Sequence, residues 1–446
     1  MNYLPTILAV VGLGLVAQVG AQPESQPVTD REALSRPISG LTAEEMRQFQ
    51  QGRSLFQQSW VAAPAGHEEI NGLGPLYNRL ACISCHAKNG RGGAPDGPGQ
   101  RMQSMLVRLS VAGHDAHGEP KPHPAYGEQL NEEGIPGVPG EGRASIQWVT
   151  SRVTLAGGER VELRRPRLTF DELAFGELGE VRMSPRVSPH VAGLGLLETV
   201  PATVLEKLAR QVRSDGVRGK VNVVWDIEAQ KRVVGRFGLK ANTPTLRQQT
   251  AGAFVGDMGI TSDLYPDENC TKPQTACRKA PTGGQPELVT TQLDSVEFYL
   301  AHLAPPPRRD ADAPLVRQGE VIFVSNGCAA CHLPTLPGGD HPKYPRLSGL
   351  PVAAYTDLLL HDMGPQLADG RPDYQANGRQ WRTPPLWGLG LLAGINENTH
   401  YLHDGRARNA QEAILWHGGE AASARKRYAQ LPRVERQALL AFLQSL

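Results

Sequence analysis

The sequence predicts a mainly α fold in two units, the first enlarged by a β-hairpin-containing insertion and long loops. Three observations carry this. Two Cys-x-x-Cys-His pentads stand far apart, at 82–86 and 328–332, so each is assigned its own domain. A helical apolar pattern over 315–323 precedes the second pentad, and Leu439, Leu440, Phe442 and Leu443 form an apolar stripe near the C-terminus. Between the pentads, 145–168 alternates in polarity about Gly157-Gly158, the pattern of a hairpin. The 446 residues suffice for two or three domains of ~150 residues. The 49 Gly and 36 Pro call for more ordered turn and loop than a long helical bundle needs.

In chain order, 1–21 reads as a signal peptide: an apolar run from Ile7 to Val16 leads to the small residues Gly20 and Ala21, where a signal peptidase cuts. No Lys or Arg precedes the run, which leaves an uncleaved anchor as the alternative. No Cys follows closely to carry a lipid, and no later stretch has 18 consecutive apolar residues. The mature protein is therefore expected to be exported to the periplasm, with no stable membrane insertion after signal removal. Residues 22–303 are read as the N-terminal unit, with the β-rich insertion at about 106–235. The segment 301–314, AHLAPPPRRDADAP, combines a proline triplet with alternating charge and reads as a stiff linker. Residues 304–446 then form the C-terminal unit. In it a helix precedes the pentad and a closing helix follows it.

Chemistry enters through the six cysteines. Each Cys-x-x-Cys-His reads as a covalent c-type haem attachment site. The thiols of Cys82 and Cys85, and of Cys328 and Cys331, add to porphyrin vinyl groups, while His86 and His332 turn inward as proximal iron ligands. Zinc would want four ligands grouped in pairs, and a thioredoxin-like redox pair needs no following His. The expected cofactors are two covalently bound haem c. Cys270 and Cys277 share a loop with Pro266 and Pro273 and are read as a disulfide. With 46 Lys+Arg against 45 Asp+Glu, the chain offers no excess of positive charge for nucleic acid or an acidic membrane. Ser214-Asp215-Gly216 resembles a fragment of a calcium loop with few carboxylates, so calcium stays open as a further ligand.

A wider set of motifs carries a family resemblance. The segment 71–78 (NGLGPLYN) leads into the first pentad, followed by Ser184-Pro185-Arg186, 193–198 (GLGLLE), Gly235-Arg236-Phe237-Gly238, 243–247 (TPTLR) and 257–262 (DMGITS). In the C-terminal unit stand His361-Asp362-Met363-Gly364, 383–387 (TPPLW), 401–406 (YLHDGR) and His417-Gly418-Gly419-Glu420. From about Gly40 to the C-terminus the chain resembles the bacterial di-haem oxidoreductases described as thiol oxidoreductases or peroxidases, similar in their C-terminal part to di-haem cytochrome c peroxidases. The resemblance implies two cytochrome c-like haem domains. It also implies that His417 stands where those peroxidases supply the distal ligand of the second iron, usually as Met. Met363 is the alternative, and the competing readings are a helix-capping His417 and a core-packing Met363.

For the first iron, Met258 follows Thr-Pro-Thr-Leu much as the His-Asp-Gly stretch follows Thr-Pro-Pro-Leu in the second half, which marks it as the candidate distal ligand. Met105, Met183, His114 and an open site are the alternatives. Arg164-Arg165-Pro166-Arg167 reads either as a propionate partner or as a solvated strand end. Trp387 reads as a bridge between haems or as core. Two function classes follow. The first is a di-haem oxidoreductase of peroxidase type, taking electrons from a small redox protein at the haem of His332 and reducing peroxide or a related small molecule at that of His86. The second is a non-catalytic electron-transfer cytochrome with both irons six-coordinate, serving iron or thiol metabolism.

Overall fold

The computed structural model describes residues 31–66, 70–396 and 399–446, so the signal-peptide expectation for 1–21 lies outside the described residues. Its helices are α1 (Ala43–Gln57), α2 (Leu194–Thr199), α3 (Ala202–Ala209), α4 (Leu246–Met258), α5 (Thr290–Ala301), α6 (Pro314–Ser325), α7 (Leu392–Asn396), α8 (Ala410–Trp416), α9 (Ala422–Gln430) and α10 (Arg433–Ser445). Among the described residues none is long and apolar enough to cross a membrane.

Two crossed helix pairs frame the molecule, and both are built the same way. α1 starts at a capping box, in which Thr42 and Glu45 satisfy each other's backbone N–H. It then crosses α5 at Gly52, where a Cβ would lie 1.9 Å from the Ser295 carbonyl oxygen. α6 crosses α10 at Gly319, where a Cβ would lie 1.9 Å from the Ala438 carbonyl oxygen. Only glycine admits backbones this close. Aromatic rings lock each crossing: Phe49 against Tyr299 at 4.9 Å between centroids, and Phe323 against Phe442 at 5.0 Å. One turn beyond each glycine, Phe56 lies 6.2 Å from the His86 ring and Phe323 lies 6.4 Å from the His332 ring. Each helix pair thus abuts one pentad.

The mainly α expectation is corrected. Helices share the regular structure with strands, which among the described residues form only two-stranded sheets. Met105–Ser110 pairs with Arg182–Val187, Val223–Asp226 with Lys231–Val234, and Leu360–Asp362 with Gln380–Arg382. These strands are short and set in Gly- and Pro-rich chain, where alternation is too brief to register as a period. The hairpin itself forms, and is longer than 145–168: Arg143–Thr154 runs antiparallel to Arg160–Asp171, in register from Arg143↔Asp171 to Thr154↔Arg160.

The hairpin also reaches further than an insertion confined to the first unit. Its root buries Ala144 and Ile146 with Met102, Met105, Leu109 and Tyr126. Its tip buries Leu155, Val161 and Leu163 with Phe323, Trp416, Tyr428, Leu439 and Phe442 around the second helix pair. Ala156 N–H donates to the Ala429 carbonyl at 2.8 Å, and Arg436 pairs with Glu159 at 2.5 Å. The main core likewise joins Leu34, Phe49, Phe254 and Tyr299 to Leu336, Tyr344, Leu347 and Leu391 from beyond residue 304. The intervening 301–314 segment is tied down on both sides, with Ala304 N–H donating to the Arg36 carbonyl at 2.9 Å and Arg309 N–H to the Ser445 carbonyl at 2.7 Å. Cys270 and Cys277 are joined as a disulfide with Cα atoms 5.7 Å apart.

Candidate functional site

Each pentad folds as a single tight turn. Cys82–Ser84 and Cys328–Ala330 are 3-10 turns, and the backbone N–H of His86 and of His332 donates to the carbonyl of the first cysteine at 3.0 Å in both. The turn brings both thiols and the imidazole to one side, and both pentads turn that side to one cavity. This void of about 1180 Å³ is lined by Cys82, Cys85 and His86 at one end and by Cys328, Cys331 and His332 at the other. A single-ligand pocket is roughly 300–1,000 Å³, so this space exceeds what one small molecule needs.

The imidazoles are set for metal ligation. His86 Nδ1 lies 2.7 Å from the Pro189 carbonyl oxygen and His332 Nδ1 lies 2.9 Å from that of Tyr355. A carbonyl only accepts, so Nδ1 carries the proton in each and Nε2 keeps its lone pair, the arrangement that fixes ring and tautomer in iron- and zinc-binding histidines. Burial holds both rings neutral by pulling them down to about 4. Burial also pushes the Cys82 and Cys85 thiols up to about 12 and Cys328 up to about 11, so these remain thiols. The chain therefore presents, twice, two thiols and one bare ring nitrogen to a shared apolar space, a donor set that fits covalent haem.

The candidate distal residues divide clearly. His417 is the C-cap of α8 and also lines the cavity; its Nδ1 donates to the Ala413 carbonyl at 2.7 Å, which leaves Nε2 bare. Capping and ligation are therefore compatible in one residue. Met363 lines the same end, and its loop touches that of His417: a Cβ on Gly418 would lie 2.8 Å from the Met363 carbonyl oxygen. At the other end Met258 is buried at the end of α4 and lines the cavity. The end of α4 is stapled to the approach to the first pentad, since Gly74 N–H donates to the Met258 carbonyl at 2.9 Å and Asn78 N–H to the Asp257 carbonyl at 2.8 Å. Met105 also lines the void, whereas Met183 and His114 do not.

Other expected landmarks move. Arg164 lies over the Trp148 ring at 4.1 Å and donates to the Arg406 carbonyl at 3.3 Å, away from the cavity lining, and Arg165 is exposed. Trp387 is buried, lines the cavity and packs on Gly193, with its Nε1 lacking a hydrogen-bond partner. Asp215 pairs with Arg427, and among the described residues no group of three or more His, Cys, Asp or Glu gathers to hold a metal ion, so calcium is carried no further.

Sequence reasoning did not single out Arg91, His190 and Arg382, which line the wall between the pentads. Nothing in the chain marks Arg91 and Arg382 among 46 Lys+Arg, because their role depends on what folding leaves opposite them. Sequence reasoning quoted His361 and Glu420 within motifs but gave no role to the network they form beside Cys331. There His361 Nε2 and Nδ1 each lie 2.9 Å from a carboxylate oxygen, of Asp357 and Glu420, and Arg213 Nη1 lies 2.6 Å from Asp357. The two carboxylates hold the His361 ring well above the usual histidine range, as an imidazolium.

No curated protein matches the chain. Among solved structures, it is similar to the Kuenenia stuttgartiensis hydrazine synthase pressurised with 20 bar xenon, at 15% identity over 99% of both chains with a TM-score of 0.38. Residues 28–446, nearly the whole length, match the family described as "di-haem oxidoreductase, putative peroxidase", and the chain belongs to that family.

Proposed function

We propose that this protein is an exported, periplasmic di-haem c-type oxidoreductase of peroxidase type, which takes electrons from a small redox protein and reduces peroxide or a related small molecule. The observation that carries the reading is the shared cavity, faced at both ends by two thiols and a histidine whose Nδ1 is committed to a backbone carbonyl. When bound, the haem held at His332 would store an electron, and the haem held at His86 would deliver electrons to an O–O bond.

The chain's own contribution is to hold, shield and admit. Phe56, Val296 and Leu300 at one end and Phe323, Leu439 and Leu443 at the other keep water from the two imidazoles. Beyond the first pentad the cavity continues to Lys121, Glu128 and Lys272, which are exposed, so a small molecule reaches the His86 end from solvent. Glu119 lines this approach. Burial and the neighbouring Glu128 raise its carboxyl, so it holds a proton closer to neutrality than an ordinary glutamate does.

The test combines cofactor content with turnover. Acid–acetone extraction should leave two haem equivalents on the chain, and Cys82→Ala with Cys85→Ala should leave one and abolish reoxidation of the reduced protein by hydrogen peroxide. Release of all haem on extraction, or undiminished reoxidation in the double variant, contradicts the proposal.

A further inference from the structure

The cavity wall between the two pentads carries two arginines whose guanidinium donors go to backbone carbonyls rather than to carboxylates. Arg91 donates from Nε to the His400 carbonyl at 2.6 Å and from Nη2 to the Leu402 carbonyl. Arg382 donates from Nε to the Gly238 carbonyl at 2.9 Å and from Nη1 to that of Thr383 at 3.3 Å. Backbone carbonyls satisfy donors but cancel no charge, and buried charges in folded proteins are paired. Both side chains are only half-buried by area, yet both sit deep in the molecule, and the surface they keep opens on the cavity. Burial pulls each guanidinium down to about 10, and the more distant Asp404 beside Arg91 and Asp357 beside Arg382 offset it only in part.

A third group stands with them. His190 lines the same wall, feels the charge of both arginines, and has a buried Nδ1 with no hydrogen-bond partner. Two cations and an unsatisfied ring nitrogen around one void call for an anion with several acceptor oxygens, and the guanidinium fork matches a carboxylate best. His190 and Arg91 stand on the first pentad's side, and Arg382 acts on His190 from the same wall. His190 follows Pro189, whose carbonyl holds His86 at 2.7 Å, and Arg91 follows His86 closely in the chain.

We propose that Arg91, Arg382 and His190 form an anion cradle for the propionate carboxylates of the haem attached at Cys82 and Cys85. The inference rests on the di-haem reading and relocates the propionate partner from Arg164–Arg167. Reduction lowers the charge of an iron porphyrin by one, so cations beside it favour the ferrous state. Arg91→Gln and Arg382→Gln should each lower the midpoint potential of one haem in a spectroelectrochemical titration, leaving the other in place.

Haem content by pyridine haemochrome reads the underlying assignment separately: two equivalents per chain uphold it whatever the potentials do. Unchanged potentials in both variants at full haem content overturn the cradle. So does a wild-type midpoint that shifts when sodium acetate is titrated in, because the cradle would then be open to free carboxylates. Should neither variant accumulate, the wild-type holoprotein still decides: resonance Raman propionate bending bands at the frequency of hydrogen-bonded groups support the cradle, and bands at the free frequency overturn it.

Discussion

Glu141 shows how one buried side chain sets a property of the whole chain. It is 2% exposed, and its carboxyl accepts from Asn131 N–H and Gln274 Nε2, both at 2.5 Å, joining the loop ahead of the hairpin to the disulfide loop. Burial raises its pKa from 4.5 to about 8. The folded state thus binds this proton more tightly than the unfolded chain does, and the stability it contributes is complete below pH 4.5 and lost as pH rises to about 8. At roughly 1.4 kcal/mol per pKa unit the loss is about 2–5 kcal/mol. Urea melts across that window should show the decline, and Glu141→Gln should flatten it; an unchanged slope would contradict the assignment. His417→Ala should alter the ferric spectrum of the haem at His332 alone, read by EPR, and if it does not, Met363 inherits the distal role. The pentads were legible in the sequence because the attachment proposed for them, to two vinyl groups and one iron, would fix their spacing in five letters. Met258 and Met363 were not decided there, because a methionine beside a haem and one in a core differ only in what folding puts opposite. Arg91 and Arg382 were invisible for the same reason.

Helices and the hairpin followed from local periodicity, but their partners did not. The hairpin turn was readable at Gly157-Gly158, whereas its docking on α9 and α10 depends on residues far downstream, such as Ala429 and Arg436. That docking is an element-scale joint between the two helix pairs. Leu155 and Leu163 are 3% and 4% exposed within it. Leu155→Ala should cost about 2–5 kcal/mol, read in thermal melts, and should expose the 155–159 turn to limited proteolysis. Undiminished stability with a protected turn would mean the tip is not part of the second core. The glycine crossings make the opposite case, since space is already spent there. Gly319→Val should destabilise by about 1–3 kcal/mol or more, because the obstacle is the Ala438 backbone rather than a flexible side chain. It should do so mainly in the second haem's environment, whereas Gly52→Val should disturb the first.

On the scale of the molecule, two helix–pentad units are joined by the main core, the long hairpin and one cavity. The sequence pointed to two units because the pentad repeats; it could not reveal that 301–314 is packed rather than spanning, because proline and charge look alike in a free linker and in a buried crossing. The arrangement has a functional consequence. A void common to both pentads brings the two proposed haem sites into one environment, and its lining reaches exposed Lys121, Glu128 and Lys272 beyond the His86 end. The most direct test is to titrate the holoprotein through its redox range while recording carbon monoxide and cyanide binding. The account predicts that one haem binds an exogenous ligand and that this binding disappears with Cys82→Ala and Cys85→Ala. Binding by neither haem in any redox state would leave a non-catalytic relay, and binding only at the haem of His332 would reverse the direction of electron flow.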